Sequence, residues 1–596
     1  MPFAIIRIIP KRARPSGFLM RLLADRRGNV LAILAAALIP VLGLAGSAID
    51  VARTYAVKAR LQQACDAGVL AGRKYMTIAS TSAILEPAAR DQAKAFFRNN
   101  FPDGWLGTGN TTFTPAKANE SDVSGIAATT VPMTVMGFFG AKDAVVNVTC
   151  AARYDVSDTD VLFVLDVTGS MACPPTMANM DCGNFTDSQG DASRYTRPGS
   201  DGIANYSIPA GYPGTTGLSV REAADSRIAA LRKAVLAFYD TFAANADAST
   251  HVRYGFVPYS SSVNVGQAIL DVSPGFLVGS GGSLDRPYYQ TRYVATADAG
   301  TPGPVWTYDR QPVDVSPLVA GRTMKDPTKT GGEAVKWAGC IESATSSPGS
   351  ADFSTLPPEI DPDLKPTGAQ RWWPHLPTIE YRRPAMGAGQ SIGEQDVSSK
   401  GRFWNFDTLS SSDPNFQDVT TCPKPVKRLG VMTRDDVSRY INAVDFAPMG
   451  GTYHDIGMIW GGRLMSPGGP WSADTAAWPG RNTPNRVIIF LTDGVMAPQT
   501  KFYSMYGQEA LDKRIGPGKN GGTLTYLHEQ RFLAACQAAK SRNIQIWTVA
   551  IATGAVATMQ QCATTADKAL TTTSGPDLSE KFKIIAEHIA TLRIAQ

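Results

Sequence analysis

Residues 30–49, VLAILAAALIPVLGLAGSAI, run for twenty positions without a charge. As a helix rising about 1.5 Å per residue, such a run reaches about 30 Å, the thickness of a bilayer's hydrocarbon core. It is therefore read as one membrane-spanning helix. Pro40 lies inside the run; proline breaks soluble helices but is tolerated in membrane helices whose neighbours satisfy the freed carbonyl. Lys11, Arg12, Arg14, Arg21, Arg26 and Arg27 crowd the N-terminal flank, against Arg53, Lys58 and Arg60 on the other side. That excess puts the N-terminus in the cytoplasm and the bulk of the chain outside it. A cleaved secretory signal is the competing reading, supported by the small residues Ala45, Gly46, Ser47 and Ala48. The run exceeds the usual apolar core of about 7 to 15 residues in such signals, which favours a retained anchor. Either reading exports the rest of the chain.

The whole chain carries a net charge of +5, but residues 1–29 account for more than all of it, leaving the rest at −1. Basicity confined to a membrane flank is a topology signal, so nucleic acid is excluded as the main partner. At 596 residues the chain is too long for one core and should hold several folding units. Its eight cysteines (Cys65, Cys150, Cys173, Cys182, Cys340, Cys422, Cys536 and Cys562) contain no C-x-x-C pair, which argues against a zinc ribbon or a thioredoxin-type motif. Disulfides suit an exported chain, and proximity suggests Cys173 with Cys182 and Cys536 with Cys562. The other four, and free thiols, stay open.

After the span, DVARTYAVKARLQQACDAGVLAGRKYM keeps helical spacing, so the membrane helix is predicted to continue to about Met76. A second helix, PAARDQAKAFFRNNF, precedes strand-rich segments that include TTVPMTVMGFFG and AVVNVTCAARYDV. Residues 50–155 thus form an α+β stalk with a pilin-like layout, or a simple stalk. From Asp160, strands alternate with helices: VLFVLD, SRIAALRKAVLAFYDTFAANA, VRYGFVPYSSSVNV, NRVIIFLTDG, YLHEQRFLAACQAAKSRN, IQIWTVAIA and LSEKFKIIAEHIATLRIAQ. This order predicts an α/β fold, a doubly wound and mostly parallel sheet covered on both faces. The domain is drawn over residues 156–266 and 430–596, and the Pro-, Gly- and Trp-rich stretch 267–429 between them is too long for a bare loop, so it is read as an insertion subdomain.

In open α/β sheets, ligands bind beyond the carboxyl ends of the strands. There VLFVLD runs into Asp166-Val-Thr168-Gly-Ser170, NRVIIFLTDG ends in Thr492-Asp493-Gly, and Pro448-Met-Gly450-Gly451-Thr452 leads a hydroxyl into a helix. Asp166, Thr168, Ser170, Thr452 and Asp493 supply two carboxylates and three hydroxyls. These are hard oxygen donors, suited to Mg²⁺ or to Ca²⁺ or Mn²⁺. Two carboxylates barely neutralise a divalent ion, so an acidic group from a partner would restore charge balance. Singly each motif is weak, because Asp-x-Thr-x-Ser can simply cap a turn; the ordered set of three is far more specific.

These residues resemble the von Willebrand factor A domain and its metal-ion-dependent adhesion site, with Thr168 standing where the family usually has serine. The resemblance implies that Asp166 acts mainly through water, that Thr168, Ser170 and Thr452 are hydroxyl ligands, and that Asp493 is a carboxylate near the ion. The chain is also similar to TadG-like proteins of tight-adherence (Flp) pilus assembly. The residues that carry this are Arg26-Arg27-Gly28-Asn29, Asp50, Arg53 and Leu61-Gln-Gln-Ala-Cys-Asp66, then Trp337-Ala-Gly-Cys340-Ile-Glu342, Trp460-Gly-Gly-Arg463 and Thr591-Leu-Arg593. What this implies is a non-enzymatic, single-pass protein of the bacterial inner membrane, its bulk periplasmic or surface-exposed, binding pilus or envelope proteins. Ile33 stands where a prepilin cut after Gly28 would carry its fifth-residue Glu, which speaks against that cleavage and against pilin-like incorporation.

Two rival functions stand beside this one: a structural minor subunit whose metal only stabilises the fold, and a metal-dependent hydrolase, against which stands the lack of a base or nucleophile near the motif. Gly389-Gln-Ser391-Ile-Gly393 fits G-x-S-x-G, but lacks the flanking strand and helix of a nucleophile elbow. His454, beside Thr452, is the one histidine placed near the site, but it is read as ordinary helix surface; Trp372-Trp373 could form a binding patch and are read as packing within the insertion.

Overall fold

The computed structural model describes residues 29–76, 84–118, 122–153, 158–188, 193–246, 250–280, 286–295, 305–328, 331–332, 334–382, 393–394, 404–405, 422–500, 503–516, 521–551 and 556–591. The basic segment before Asn29 and nearly all of the Gly389–Gly393 motif lie outside the described residues. Two compact units divide between Asp155 and Val156.

In the first unit, helix α1 (Asn29–Lys74) changes character along its length. Its first half exposes Ile33, Leu34, Leu38, Ile39, Val41, Leu42 and Leu44, and it is the one helix among the described residues long and apolar enough to cross a membrane. Its second half buries Val57, Leu61, Ala64, Cys65 and Val69, a stripe at the three- and four-residue spacing of one helix face. That stripe packs on helix α2 (Pro87–Asn100) and on an antiparallel sheet of β1 (Gly109–Lys117), β2 (Asp122–Val131) and β3 (Ala144–Arg153). A disulfide from Cys65 to Cys150 ties α1 to β3.

The segment TTVPMTVMGFFG, expected as strand, divides. Strand β2 stops at Val131, because Pro132 has no N–H for the ladder. Met136–Phe139 then form a single tight turn of 3₁₀ helix.

The second unit is built on a six-stranded sheet. Its strands are β4 (Thr159–Asp166), β5 (Val252–Tyr259), β6 (Lys427–Gly430), β7 (Asn485–Thr492), β8 (Ile544–Ile551) and β9 (Ala569–Thr572), in the spatial order β6-β5-β4-β7-β8-β9. Five run parallel, while β6 pairs antiparallel with β5. The sheet is therefore mixed rather than uniformly parallel. A four-residue edge strand needs no crossover direction to pair, and it shields the edge of β5.

Both faces of the sheet are buried, as alternation along the strands dictates. Val161, Phe163 and Leu165 of β4 join Ile489 and Leu491 of β7 under helices α3 (Arg227–Asn245) and α4 (Gly575–Thr591). Phe163 lies against Phe238, Phe256 and Phe582, with centroids 5.2 to 6.2 Å away. On the other face Leu162, Val164, Ile488 and Phe490 meet the helices His454–Met465 and Gly521–Lys540. The same apolar cluster takes in Leu277, Tyr289, Trp337, Ile341, Trp372 and Leu376 from the 267–429 stretch. Full burial of side chains of this size stabilises by about 1.5–3 kcal/mol each, so that stretch shares its core with the sheet. Trp372 is accordingly interior packing.

All eight cysteines are bonded: Cys173–Cys182 and Cys536–Cys562, as proximity suggested, and also Cys65–Cys150 and Cys340–Cys422.

Candidate functional site

Register brings the strand ends together. Leu165 of β4 pairs with Leu491 of β7, and Asp166 pairs with Tyr259 of β5, so Asp166, Thr492 and Tyr259 reach the carboxyl edge at one level. Asp493 follows immediately. Three loops then converge. The Asp166–Ser170 loop docks on the glycine-rich loop by backbone bonds, Gly169 N–H to Gly450 C=O at 3.0 Å and Met449 N–H to Val167 C=O at 2.8 Å. Gly450 takes φ +89°, a left-handed conformation that glycine adopts without a Cβ penalty. Thr452, 6% exposed, is held from behind by its carbonyl, which accepts from Ala497 N–H at 3.0 Å.

Side chains link the first and third loops. The Ser170 hydroxyl donates to Asp493 Oδ1 at 2.9 Å across 323 residues, and lies 3.1 Å from the Thr168 hydroxyl. Asp166 accepts from Thr168 N–H at 2.9 Å, from the Thr492 hydroxyl at 2.9 Å and from the Tyr259 hydroxyl at 3.5 Å. Asp166, Thr168, Ser170 and Asp493 thus form one hydrogen-bonded set. Thr452 enters through the backbone of its loop and not through a hydroxyl bond to that set.

Both carboxylates are completely buried. Burial first, and then the negative charge of Asp493, push the Asp166 carboxyl up to about 7. Burial likewise raises Asp493, countered by the Arg227 guanidinium. Two buried carboxylates beside three hydroxyl-bearing residues fit, in chemistry, the oxygen donor set expected for a divalent ion. Asp166, Thr168, Ser170, Thr452 and Asp493 would hold that ion, and it would supply a Lewis-acidic position for an anionic ligand. Ser170 of this set and Gly451, the neighbour of Thr452, are partly exposed, so access comes from their side.

Arg227 and Tyr259 escaped the sequence reading, and Thr492 and His454 were named in it without a role at the site. Arg227, fully buried, bonds Asp493 Oδ2 at 2.9 Å and the Met177 carbonyl. Its signal was only a Ser-Arg at a helix start, where Ser226 caps Ala229 N–H. Thr492 and Tyr259 are the supports of Asp166. His454, expected on a helix surface, is 1% exposed with Nε2 2.8 Å from the Thr492 hydroxyl, and burial lowers it to about 4, so its ring is neutral. The helix it opens is buried along its whole length, which the apolar sequence HDIGMIWGGRLM explains.

No curated protein matches this chain. Among solved structures, the pilus adhesin SpaC from Lactobacillus rhamnosus GG aligns at TM-score 0.28 and 11% identity, over 81% of this chain and 35% of that one. The PilB minor pilin from Streptococcus sanguinis aligns at TM-score 0.26 and 10% identity, over 81% and 78%. Proximal thread matrix protein 1 from the mussel byssus, with a zinc-occupied MIDAS motif, aligns at TM-score 0.17 and 15% identity, over 27% and 34%. Similarity at these scores carries no argument about fold, and this chain spans about a third of the adhesin's length. Residues 28–90, which hold the apolar run, the Asp50 and Arg53 positions and the start of α2, match the family described as putative Flp pilus-assembly TadE/G-like.

Proposed function

We propose that this chain is an envelope-anchored, non-enzymatic protein of pilus assembly or adhesion whose second unit is a von Willebrand factor A-type domain. In this reading the sheet is doubly wound, and Asp166, Thr168, Ser170, Thr452 and Asp493 hold Mg²⁺ (or Ca²⁺ or Mn²⁺) against an acidic side chain of a protein partner. One observation carries it: the bond from Ser170 to Asp493, which joins loops 323 residues apart beside a second buried carboxylate. The strand order supports it as well. Numbered along the unit, it reads 3-2-1-4-5-6, the order in which ligands sit beyond the carboxyl edge. The match over residues 28–90 and the apolar helix support the pilus-associated, membrane-anchored setting.

The test is calorimetric titration of the purified full chain with Mg²⁺, Ca²⁺ and Mn²⁺, followed by pull-down of envelope partners with and without the ion. Wild type is expected to bind a divalent ion, and Asp166→Ala and Asp493→Ala to lose both ion and partner. Partner capture unchanged in both variants, or insensitive to chelation, overturns the mechanism. A metal that raises thermal stability without affecting any partner contact leaves only the structural-subunit reading.

A further inference from the structure

The 3₁₀ turn between β2 and β3 hangs from the middle of α1. Asp50, 2% exposed, accepts hydrogen bonds from Thr134 N–H at 3.2 Å, the Thr134 hydroxyl at 2.7 Å, Val135 N–H at 3.1 Å and Met136 N–H at 2.8 Å. One turn nearer the N-terminus, Gly46 makes room for Val135: a Cβ there would fall 2.1 Å from Val135 Cγ1. One turn beyond Asp50, Arg53 donates to the carbonyls of Pro132, at 3.0 Å, and Leu106. Along the helix, then, the connection descends from Pro132 beside Arg53 to Val135 beside Gly46. Beyond it, at the tip, Phe138 is 90% exposed and Phe139 45% exposed, stacked edge to face.

Gly46 belongs to the uncharged run 30–49, and the first two charges after the run, Asp50 and Arg53, are consumed by these bonds. The next charge is the exposed Lys58. From Ile49 to Lys58 the helix exposes the apolar faces of Ile49, Val51 and Tyr55. From Asp50 to Lys58 is about 12 Å of helix, more than the roughly 5–8 Å depth of one interfacial layer of a bilayer. A turn fixed at the level of residues 46–50 therefore lies below the surface that Lys58 marks. Two adjacent exposed phenylalanines in water would be an unusual apolar display, whereas aromatic rings at that depth are what membrane interfaces select.

We infer that the Met136–Phe139 turn is a second membrane contact: Phe138 and Phe139 insert into the lipid interface around the outer end of the apolar run 30–49 and fix the depth and rotation of the first unit. This rests on α1 spanning the bilayer. The occupant is lipid, because the turn is held against the helix inside its own apolar run. Asp50 and Arg53 act as the brackets that hold it there.

The experiment uses the full chain in phosphatidylcholine vesicles, with single cysteines carrying an environment-sensitive NBD label. All eight native cysteines are bonded, so an added one labels alone. Phe138→Cys is compared with Leu38→Cys within the run and with Leu70→Cys, 68% exposed on the same helix about 30 Å beyond Asp50. The expected result is blue-shifted emission and loss of intensity with doxyl-labelled lipid at positions 38 and 138, and neither at position 70. Quenching at 38 with a water-like signal at 138 overturns the inference alone. Water-like signals at both overturn the membrane reading, and the inference with it. A label at 138 shielded from water yet untouched by doxyl lipid identifies a protein contact instead, and also overturns it.

Discussion

Asp50 in the first unit and Asp166 in the second are both buried carboxylates at the end of an apolar segment, yet the fold treats them oppositely. Asp50 receives four donors, three of them backbone N–H groups, all from one connection. Asp166 receives one backbone N–H and two hydroxyls, one of them at 3.5 Å, and shares its burial with Asp493. A carboxylate saturated with N–H donors has its charge fully used, and it acts as a bracket. One held by hydroxyls, which can turn their lone pairs outward, still has charge to offer. The first unit thus uses the charge of Asp50 to hold itself together, while the second keeps a carboxylate pair with Arg227 bonded to Asp493.

The contrast predicts how the units fail. Cys65–Cys150 closes a separation of 85 residues and Cys173–Cys182 one of 9. In the chain-entropy account, removing them as Cys→Ala pairs costs about 4.5 and about 2.7 kcal/mol respectively. Hydrogen exchange of the full chain should show the larger loss confined to peptides of α1 and β3, and the smaller one in the loop after β4. Equal effects would mean that α1 and the small sheet are held by packing alone.

Arg227→Met sharpens the comparison. It leaves the buried Asp493 without its 2.9 Å partner, and breaking a buried pair by removing one member costs about 3–5 kcal/mol. A divalent ion at the site would replace the lost positive charge, so Mg²⁺ should restore much of this loss, read as the denaturation midpoint with and without the ion. No recovery with Mg²⁺, Ca²⁺ or Mn²⁺ would show that the carboxylate pair does not hold a metal.

How legible each feature is in the sequence depends on the range of the contacts that make it. The membrane run, α1 and strands β4 and β7 announce themselves because each is a local apolar pattern, and the Asp that ends β4 or follows β7 is visible as the break in it. Arg227 is invisible because its partner lies 266 residues away. The 267–429 stretch is opaque because, beside the eight-residue pairing of Tyr288–Ala295 with Val305–Pro312, its order comes from two-residue ladders, such as Ile341–Glu342 against Trp373–Pro374, and from apolar side chains lent to another element's core, which leave little period. The Met136–Phe139 turn reads as strand for a related reason. Val, Met and Phe are compatible with a strand, and only the remote Asp50 carboxylate makes the turn the better solution.

The smallest effect concerns a second acidic cluster within the second unit, away from the candidate site. Glu342 and Glu380, each 1% exposed, sit with Asp512 around Gln290, Gln508 and Arg514. Burial, and then the charges of Glu342 and Asp512, hold Glu380 well above the usual carboxylate range, and burial raises Glu342 to about 7. The unfolded chain releases these protons near the ordinary value of about 4.3. Between there and about 7 the folded state holds more protons than the unfolded one, so this cluster's stabilisation is complete at the acid end and declines as pH rises. The slope is at most about 1.4 kcal/mol per pH unit for each proton retained. Glu380→Gln removes one titrating group while keeping an oxygen for Gln290 N–H, so the decline between pH 5 and 7 should flatten in that variant, measured as the denaturation midpoint of second-unit peptides. If wild type and variant keep parallel slopes, Glu380 is ionised in the folded state, and its neighbours, rather than a proton, neutralise it.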